Sequence, residues 1–236
     1  MKTKLIITCE HGGNEIPPAY KKLFKAHGKL LNAHHGLDIG ALELAKYLKN
    51  GLVDYHKFST TSRLLVDLNR SLHHKKLFSS ITKKLSEPEK QKVLNQHYYP
   101  YRDSVESFIQ KAIKKNFVIH LSIHSFTPKL KGEIRNNDIG FLYDPKRKLE
   151  KTFSQRWKNA LLVLEPTLKI RFNYPYRGDS DALVSYLRKR FSKERYLALE
   201  LEINQKLFFG SKTELAQFKS SIKNSLKKAL NHFNST

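Results

Sequence analysis

The chain has 236 residues, 39% of them hydrophobic and 11% aromatic, which suffices for a packed core without cross-links. Its one cysteine, Cys9, excludes an internal disulfide framework, and no stretch approaches the roughly 18 apolar residues of a membrane-spanning helix. The first residues become polar too soon for a signal peptide, so we expect a soluble, cytoplasmic protein. No Pro/Gly/Ser-rich linker divides the chain, and we predict a single domain over residues 1–236.

The charge balance is strongly basic, with 44 Lys and Arg against 21 Asp and Glu and a net charge of +23. Such an excess is typical of proteins that bind nucleic acid or an anionic membrane surface. The lysines, however, are scattered in pairs without a basic tail or an arginine-rich block, which favours a solvated surface. Nucleic-acid binding therefore stays an alternative function.

The first half of the chain begins with an apolar run over residues 3–9 that ends in His11-Gly12-Gly13. This pattern predicts a buried strand that finishes in a turn, with His11 at its carboxyl end. Asp38 stands at the start of the second predicted helix. The further predicted elements are helices over residues 17–27 and 37–48, the latter stopped by Gly51, and strands over residues 52–58 and 64–68.

The second half begins with mixed apolar and charged residues over 86–115, which predict one or two helices interrupted at Pro100. We interpret the region of about 79–115 as a helical insertion. The remaining predicted elements are strands over residues 117–123, 140–143, 169–172 and 196–203, and helices over residues 149–164, 181–191 and 212–233. The alternation indicates an α/β protein, with a mainly parallel or mixed sheet covered by helices on both faces in three α/β/α layers.

Two histidines and an aspartate are the candidate metal ligands. His11 and His124 each follow a predicted strand, and ligands of open α/β sheets bind beyond the carboxyl ends of the strands. Together with Asp38 they would form a zinc ligand set of the kind found in hydrolases, with one position left for water. A single histidine at a strand end is more often structural, so the prediction depends on the three side chains meeting.

Two glutamates stand inside an otherwise apolar predicted strand. Glu200 and Glu202 are two residues apart and therefore project from the same face. Buried carboxylates are costly unless they are paired or used, and one of them beside an activated water would be a natural general base. Pairing with an arginine explains them equally well.

The segment over residues 61–70 carries Arg63, Asn69 and Arg70. The planar guanidinium of arginine suits a substrate carboxylate or the oxyanion of a tetrahedral intermediate. Asp67 in the same segment could instead pair with one of these arginines.

Six segments together resemble the N-formylglutamate amidohydrolase family. The most specific are EHGGN-x-IP and SR-x-x-VDLNR, which lie within the first and third matching stretches. The resemblance implies a hydrolase that cleaves the amide bond of an N-acyl amino acid such as N-formyl-L-glutamate. The matching stretches are ITCEHGGNEIP at 7–17, LDIGALELA at 37–45, TSRLLVDLNR at 61–70, LSIHSFTP at 121–128, NYPYRG at 173–178 and LELEINQKL at 199–207.

The layout is also similar to the zinc-dependent N-acetylmuramoyl-L-alanine amidases and, more distantly, to the zinc carboxypeptidases. That comparison implies a zinc-exopeptidase-like fold with one zinc ion, and Glu202 as the base that activates the attacking water. The implied zinc ligands are His11, Asp38 and His124.

The acidic ligand is the least certain part of this set. The cell-wall amidases use a glutamate where this chain has Asp38, and a carboxypeptidase-type ligand would fall on Asn14, which binds zinc poorly. Glu10 and Glu15 are the alternatives to Asp38.

The same resemblance assigns roles in substrate binding. Arg63 would polarise the scissile carbonyl, while Asn69 and Arg70 would hold a substrate carboxylate. Arg177 adds a cation that hints at an acidic or doubly charged substrate. The residues expected to line the substrate pocket are Asn173, Tyr176 and Gly178.

Three other functions stay open at this point. A peptidoglycan-type amidase or a carboxypeptidase-like hydrolase would use similar chemistry, and a basic protein that binds nucleic acid or an anionic surface would need no catalysis. The sequence leaves the acyl group, the metal and the oligomeric state open.

Overall fold

The computed structural model describes residues 2–234, with a six-stranded sheet at its centre. The strands are β1 (Lys2–Cys9), β2 (Tyr55–Phe58), β3 (Asn116–Phe126), β4 (Lys129–Leu130), β5 (Glu133–Ile134), β6 (Ile139–Leu142), β7 (Ile170–Phe172) and β8 (Tyr196–Asn204). The central sheet has the order β2-β1-β3-β8-β6-β7, and β4 and β5 form a separate ribbon. Only the β6–β8 pairing of the central sheet is antiparallel, so the sheet is mixed and mostly parallel.

Helices cover both faces of this sheet. They are α1 (Lys21–Phe24), α2 (Gly28–Leu31), α3 (Ala41–Lys49), α4 (Glu87–Val93), α5 (Tyr99–Ala112), α6 (Lys148–Leu164), α7 (Leu183–Arg190) and α8 (Lys212–Asn234). Helices α3, α6 and α8 share one apolar core with the sheet, whereas α5 and α7 pack on its other face. The predicted three-layer α/β/α fold is confirmed.

The two faces of the sheet differ in polarity. Residues such as Ile7 on β1 and Ile123 on β3 point into the core formed with α3, α6 and α8. The opposite face is apolar near the start of the strands, for example at Ile6 and Val118, and becomes polar towards their carboxyl ends. The buried polar residues of that face are Thr8, His120, Ser122, His124, Glu200 and Glu202. The alternation of strand side chains therefore places one polar group next to another across three neighbouring strands.

Several predicted helix bounds differ from the structure. The helix predicted over residues 17–27 is a 3-10 turn at Pro18–Tyr20, followed by the separate short helices α1 and α2. Phe24 is the only buried residue of α1, and α2 buries none, so little apolar surface is available to stabilise a longer helix.

Asp38 does not begin a helix, because α3 starts three residues later at Ala41. The backbone N–H of Asp38 donates to the carbonyl of His11 at 2.9 Å, and its carbonyl accepts from Ala41. The backbone of Asp38 is thus tied to the end of β1, while its side chain projects towards the sheet.

The strand predicted over residues 64–68 is wrong. The segment is buried beneath α5, but its backbone forms turns, with Leu65 N–H donating to Ser62 and Asp67 N–H donating to Leu77. Two side chains of the helical region hold this loop in place: Arg102 donates to the carbonyl of Leu68, and Tyr98 donates to that of Arg70. The apolar run reflected burial rather than strand pairing.

The helical region contains two α-helices, α4 and α5, which is within the predicted one or two, and Pro100 stands in the first turn of α5. Residues Leu94–Tyr98 form a turn of π-helix directly before α5. The wider turn accommodates a residue that has no backbone N–H and would clash with an ordinary α-helical turn. Val105 and Ile109 of α5 are fully buried against the sheet. That the region of about 79–115 is an insertion stays a prediction.

Candidate metal centre and active site

His11, Asp38 and His124 meet at the carboxyl ends of β1 and β3. One possible donor atom of each lies within 4.8 Å of those of the other two, and all three residues are buried. The Nδ1 atoms of both histidines face the same carboxylate oxygen, Asp38 Oδ2, at 3.3 Å from His11 and 2.8 Å from His124. The three predicted ligands therefore converge on one point.

The glycines after His11 allow this approach. A Cβ atom added at Gly13 would lie 2.4 Å from the carbonyl oxygen of Thr60, in the segment that follows β2. The turn after β1 can therefore lie directly against that segment only with glycine at this position. His11 is consequently held over the end of the sheet.

The charges around Asp38 stabilise its ionised form. Burial raises the pKa of Asp38, but His11, His124 and Arg63 outweigh that effect and hold the pKa well below its usual range. Burial lowers the pKa of His124, whereas its bonds to Asp38 and Glu10 raise it well above its ordinary value. The site is thus built to hold positive charge beside buried carboxylates.

The geometry fits a zinc ion. Zinc bound at about 2.0 to 2.2 Å to tetrahedral nitrogen and oxygen ligands places neighbouring donors roughly 3.3 Å apart. The distances of 3.3 and 2.8 Å from the imidazoles to Asp38 Oδ2 are close to that spacing. Residues His11, Asp38 and His124 would hold the ion, and they match the residue types of hydrolytic zinc sites.

Arg63 and Asp67 lie on the outer side of the cluster. Arg63 donates to Asp67 Oδ2 at 2.7 Å and to Asp38 Oδ1 at 3.4 Å. Burial lowers the pKa of Arg63, but the carboxylates of Asp67 and Asp38 outweigh that effect and raise the pKa above its usual value. Asp67 Oδ1 also lies 2.7 Å from Nε2 of His11. Asp67 therefore pairs with an arginine, as the sequence suggested, and with a histidine as well.

Glu10 and Glu15 were the alternatives to Asp38. Glu10 is fully buried and lies 3.2 Å from Nε2 of His124, on the side of that ring away from Asp38. Glu15 is exposed and accepts a hydrogen bond from Thr60. The convergence of both Nδ1 atoms therefore supports Asp38 as the acidic ligand.

Glu200 and Glu202 differ in their surroundings. Asn69 donates to Glu200 Oε1 at 2.9 Å, and the carbonyl oxygen of the Asn69 side chain accepts from Leu183 N–H. Glu202 lies beside His124 in the strand register, and its Oε2 atom is buried without a hydrogen-bond partner among the described residues. Burial, together with the charges of Asp38 and Glu200, raises the pKa of Glu202 to about 8.

A cavity of about 550 Å³ opens over this cluster. Its volume lies in the range of small-molecule sites, roughly 300 to 1,000 Å³. The floor is acidic, whereas cationic side chains form much of the wall: Arg63, Arg70, Lys75, Lys76, Lys83 and Arg177. Arg70 Nε is buried without a hydrogen-bond partner in the described part of the chain.

The predicted pocket residues divide into two groups. Tyr176 lines the cavity, whereas Asn173 and Gly178 lie outside its wall. Asn173 has a left-handed backbone with φ of 50°, and its side-chain oxygen accepts from the N–H groups of Tyr143 and Gly178. A Cβ atom at Gly178 would lie 2.2 Å from the nitrogen of Tyr143. Asn173 and Gly178 therefore stabilise the loop that carries Tyr176.

Sequence reasoning missed the contacts of Glu10 and Ser122 with His124. Ser122 Oγ lies 2.9 Å from Nε2 of His124 and donates to Glu10 at 2.6 Å. The signal was present in the alternation of polar residues at 120, 122 and 124 within a strand whose other face is apolar. That periodicity places Ser122 on the same face as His124.

Comparison with known proteins concerns the family and the fold of this chain. The family model of N-formylglutamate amidohydrolase matches residues 3–209. A gene product of Agrobacterium tumefaciens has a similar structure, with a TM-score of 0.79 and 25% identity over 98% of this chain and 92% of that one. An N-formylglutamate amidohydrolase of Ralstonia eutropha shares the fold, with a TM-score of 0.72 and 16% identity over 100% of this chain and 96% of that one. No curated protein matches the sequence.

The family model that matches residues 3–209 indicates an amidohydrolase. The chain belongs to the N-formylglutamate amidohydrolase family, because that family's model covers most of its length. The resemblance inferred from the sequence motifs is confirmed. Among the described residues, none of the helices has the length and apolar character that crossing a membrane requires.

Proposed function

We propose that this protein is a zinc-dependent hydrolase that cleaves the amide bond of an N-acyl amino acid such as N-formyl-L-glutamate. The observation that carries the proposal is the convergence of both histidine Nδ1 atoms on one oxygen of Asp38. Family membership supports the amide-cleaving reaction, and the ligand types support zinc.

The balance of buried charge supports a divalent cation. Five buried carboxylates surround the two histidines, and Arg63 is the one arginine that pairs with any of them in the described structure. Burying carboxylates without compensating positive charge is costly. A divalent ion would supply that charge. The five carboxylates are Glu10, Asp38, Asp67, Glu200 and Glu202.

A zinc ion at this position supplies Lewis-acid activation of water and of an amide carbonyl. Glu202 is the proposed general base, because its buried Oε2 atom has no hydrogen-bond partner among the described residues. A divalent ion beside it would lower its pKa and so favour the ionised form that accepts the proton of the attacking water. The same Oε2 atom then donates the proton to the leaving amine. Arg63, held by Asp67 at the cavity wall, provides positive charge for the developing oxyanion.

The cations of the cavity wall support an acidic substrate. Arg70 is the proposed partner of the α-carboxylate, since its Nε has no hydrogen-bond partner among the described residues. Lys75, Lys76 and Lys83 form no ion pair within residues 2–234 and face the same cavity. They would attract the second carboxylate of a glutamate side chain. Asn69 contributes to the site indirectly, because its side-chain amide holds Glu200 by a hydrogen bond.

The test combines metal content with hydrolysis of N-formyl-L-glutamate in the wild type, His124→Ala and His73→Ala. His73 is exposed and serves as the matched control. We expect one zinc per chain and activity in the wild type and the control, and the loss of both in His124→Ala. A wild type that binds no metal, and that stays inactive when zinc is supplied, would overturn the proposal.

Other functions make different predictions. A nucleic-acid or anionic-surface binder would show salt-sensitive binding that survives His11→Ala, because the net charge of +23 would carry the affinity. A peptidoglycan-type amidase or a carboxypeptidase-like hydrolase would lose activity in the same variant but would prefer peptide substrates. The cytoplasmic location stays a prediction.

A further inference from the structure

We propose that Asp67 and Glu10 are positioning residues for the metal: each accepts the Nε2 proton of one ligand histidine and so turns the Nδ1 lone pair towards Asp38 Oδ2. The inference rests on the proposed function, because it concerns the same metal site. It assigns roles to two buried carboxylates that are outside the proposed ligand set.

On the side of His11, both carboxylate oxygens of Asp67 accept hydrogen bonds. Asp67 Oδ1 lies 2.7 Å from Nε2 of His11 and also accepts from Asn69 N–H at 3.0 Å. Asp67 Oδ2 accepts from Arg63 at 2.7 Å. An ionised carboxylate only accepts hydrogen bonds, so Nε2 of His11 must carry the proton and Nδ1 is left free for a metal.

On the side of His124, two groups lie beside Nε2 as possible acceptors of its proton, Ser122 and Glu10. Ser122 Oγ donates its only proton to Glu10 Oε2 at 2.6 Å, so it can meet Nε2 of His124 only as an acceptor. Glu10 Oε2 is a second acceptor for the same N–H at 3.2 Å. Tyr101 donates to Glu10 Oε1, which fixes the carboxylate from its other end. His124 is therefore also held with its proton on Nε2.

We expect the replacement of Asp67 and of Glu10 by the corresponding amide to have different effects on zinc affinity. In Asp67→Asn, the new NH2 group has two possible positions. It would face either Arg63, which is itself a donor, or Nε2 of His11, where it would favour the tautomer that carries its proton on Nδ1. In Glu10→Gln, the NH2 group can face the oxygen of Tyr101, whose proton can go to the carbonyl of Lys57 at 2.9 Å. The remaining oxygen of Gln would still accept from His124.

The experiment measures the zinc dissociation constant by competition with a chelator, together with the 15N chemical shifts of the histidine side chains. Partners of metal-binding histidines typically change metal affinity by about 10- to 100-fold when they are replaced. We expect a weakening of that size in Asp67→Asn and Glu10→Ala, and a weakening below about tenfold in Glu10→Gln. The NMR signals should report Nε2–H for both histidines in the metal-bound wild type and in Glu10→Gln.

Two controls separate positioning from other effects. Glu150→Gln replaces a buried carboxylate that pairs with Arg188 away from the site, and it should leave zinc affinity unchanged even where it lowers the melting temperature. Arg63→Ala removes the other partner of Asp67. If Asp67 acts only through Arg63, this variant will weaken zinc binding as much as Asp67→Asn; we expect it not to weaken binding.

The outcomes distinguish this inference from the proposed function. Unchanged zinc affinity in folded Asp67→Asn and Glu10→Ala would overturn the positioning roles and leave the zinc hydrolase standing. A wild type that binds no zinc would overturn both. Nδ1–H signals from either histidine in the metal-bound wild type would also overturn the inference, since the lone pair would then face away from Asp38.

Discussion

Glu200 and Glu202 project from the same face of β8, yet only Glu200 is held by a neighbour, the amide of Asn69 at 2.9 Å. Glu202 Oε2 is buried and free of hydrogen bonds in the described structure. A carboxylate fixed by an amide donor is suited to support other groups, whereas a free one can exchange protons. This difference supports the proposal that Glu202 is the general base, the role that the family resemblance implied and that residue chemistry alone left open between the two glutamates.

Glu202→Gln is expected to lower kcat for N-formyl-L-glutamate by about 10²- to 10⁴-fold, which is the usual contribution of a general acid–base group. Zinc content should not change, because Glu202 is outside the ligand set. Steady-state kinetics and metal analysis on the same preparation measure both quantities. Retention of more than a tenth of the wild-type kcat would rule out this role.

Glu200→Gln provides the matched control for that substitution. Its oxygen can still accept from Asn69, so we expect kcat to fall by less than about tenfold. An equal loss in the two variants would indicate that both glutamates only shape the site.

The lysines of the cavity wall lead to a prediction about selectivity. Exposed ion pairs are each worth roughly 0.2 to 1 kcal/mol, so replacing Lys75, Lys76 and Lys83 by alanine should reduce kcat/KM for N-formyl-L-glutamate by about tenfold. N-formyl-L-glutamine, which lacks the second charge, should be affected less. Raising the salt concentration should reduce the difference between the two substrates.

A control triple variant separates this effect from net charge. Lys114, Lys115 and Lys151 are exposed and do not line the cavity. Their replacement by alanine changes the net charge equally and should leave the ratio of the two kcat/KM values unaltered. A similar drop in both triple variants would attribute the preference to the overall charge of the protein.

The elements and ligands that could be predicted are those with local signals. The apolar runs that precede His11 and His124 are local signals, and each predicts a buried strand that leads to a polar group. The end of the second strand was predicted too early, because β3 continues past His124 to Phe126. The contact of Asp67 with His11 was not predictable, because it joins positions that lie 56 residues apart along the chain. No pattern in the intervening residues encodes that distance.

The wrong strand over residues 64–68 has a related cause. Apolar composition reports burial, and Leu65 and Val66 are indeed buried. It does not report which groups satisfy the backbone, and here turns and the side chains of Tyr98 and Arg102 do so. The same segment carries Asp67 and Asn69 to the site, where Asp67 contacts His11 and Asn69 contacts Glu200.

The role of Asn173 can be tested by three substitutions. Asn173→Ala removes the bonds to Tyr143 and Gly178 and puts alanine at a φ of 50°, so we expect a loss of about 1 to 3 kcal/mol in urea unfolding. Asn173→Gly removes the bonds alone and should cost less. Asn173→Asp keeps the accepting oxygen, and it should retain both stability and activity if the amide does not contact substrate. A selective loss of activity in that variant would restore a direct binding role.

His120 makes the stability of the fold depend on pH. It is fully buried, between Thr8 Oγ1 at 2.9 Å and Tyr196 OH at 2.8 Å. Burial lowers the pKa of His120 to about 4, below the 6.5 of an unperturbed histidine. Between these values the unfolded chain binds a proton that the folded chain does not, so this contribution to stability is complete above pH 6.5 and is lost as the pH falls towards 4.

The expected loss is about 3 kcal/mol across that interval, since one pKa unit corresponds to about 1.4 kcal/mol. The contribution of His120 can be isolated by measuring urea unfolding of the wild type and of His120→Gln from pH 7 to pH 4, with a chelator present in both series. Because glutamine does not titrate, the difference between the two proteins reports the titration of His120. The stability advantage of the wild type should shrink by this amount as the pH falls. The exposed His73→Gln should show a constant difference. A wild-type advantage over His120→Gln that does not change with pH would mean that folding does not shift the pKa of His120.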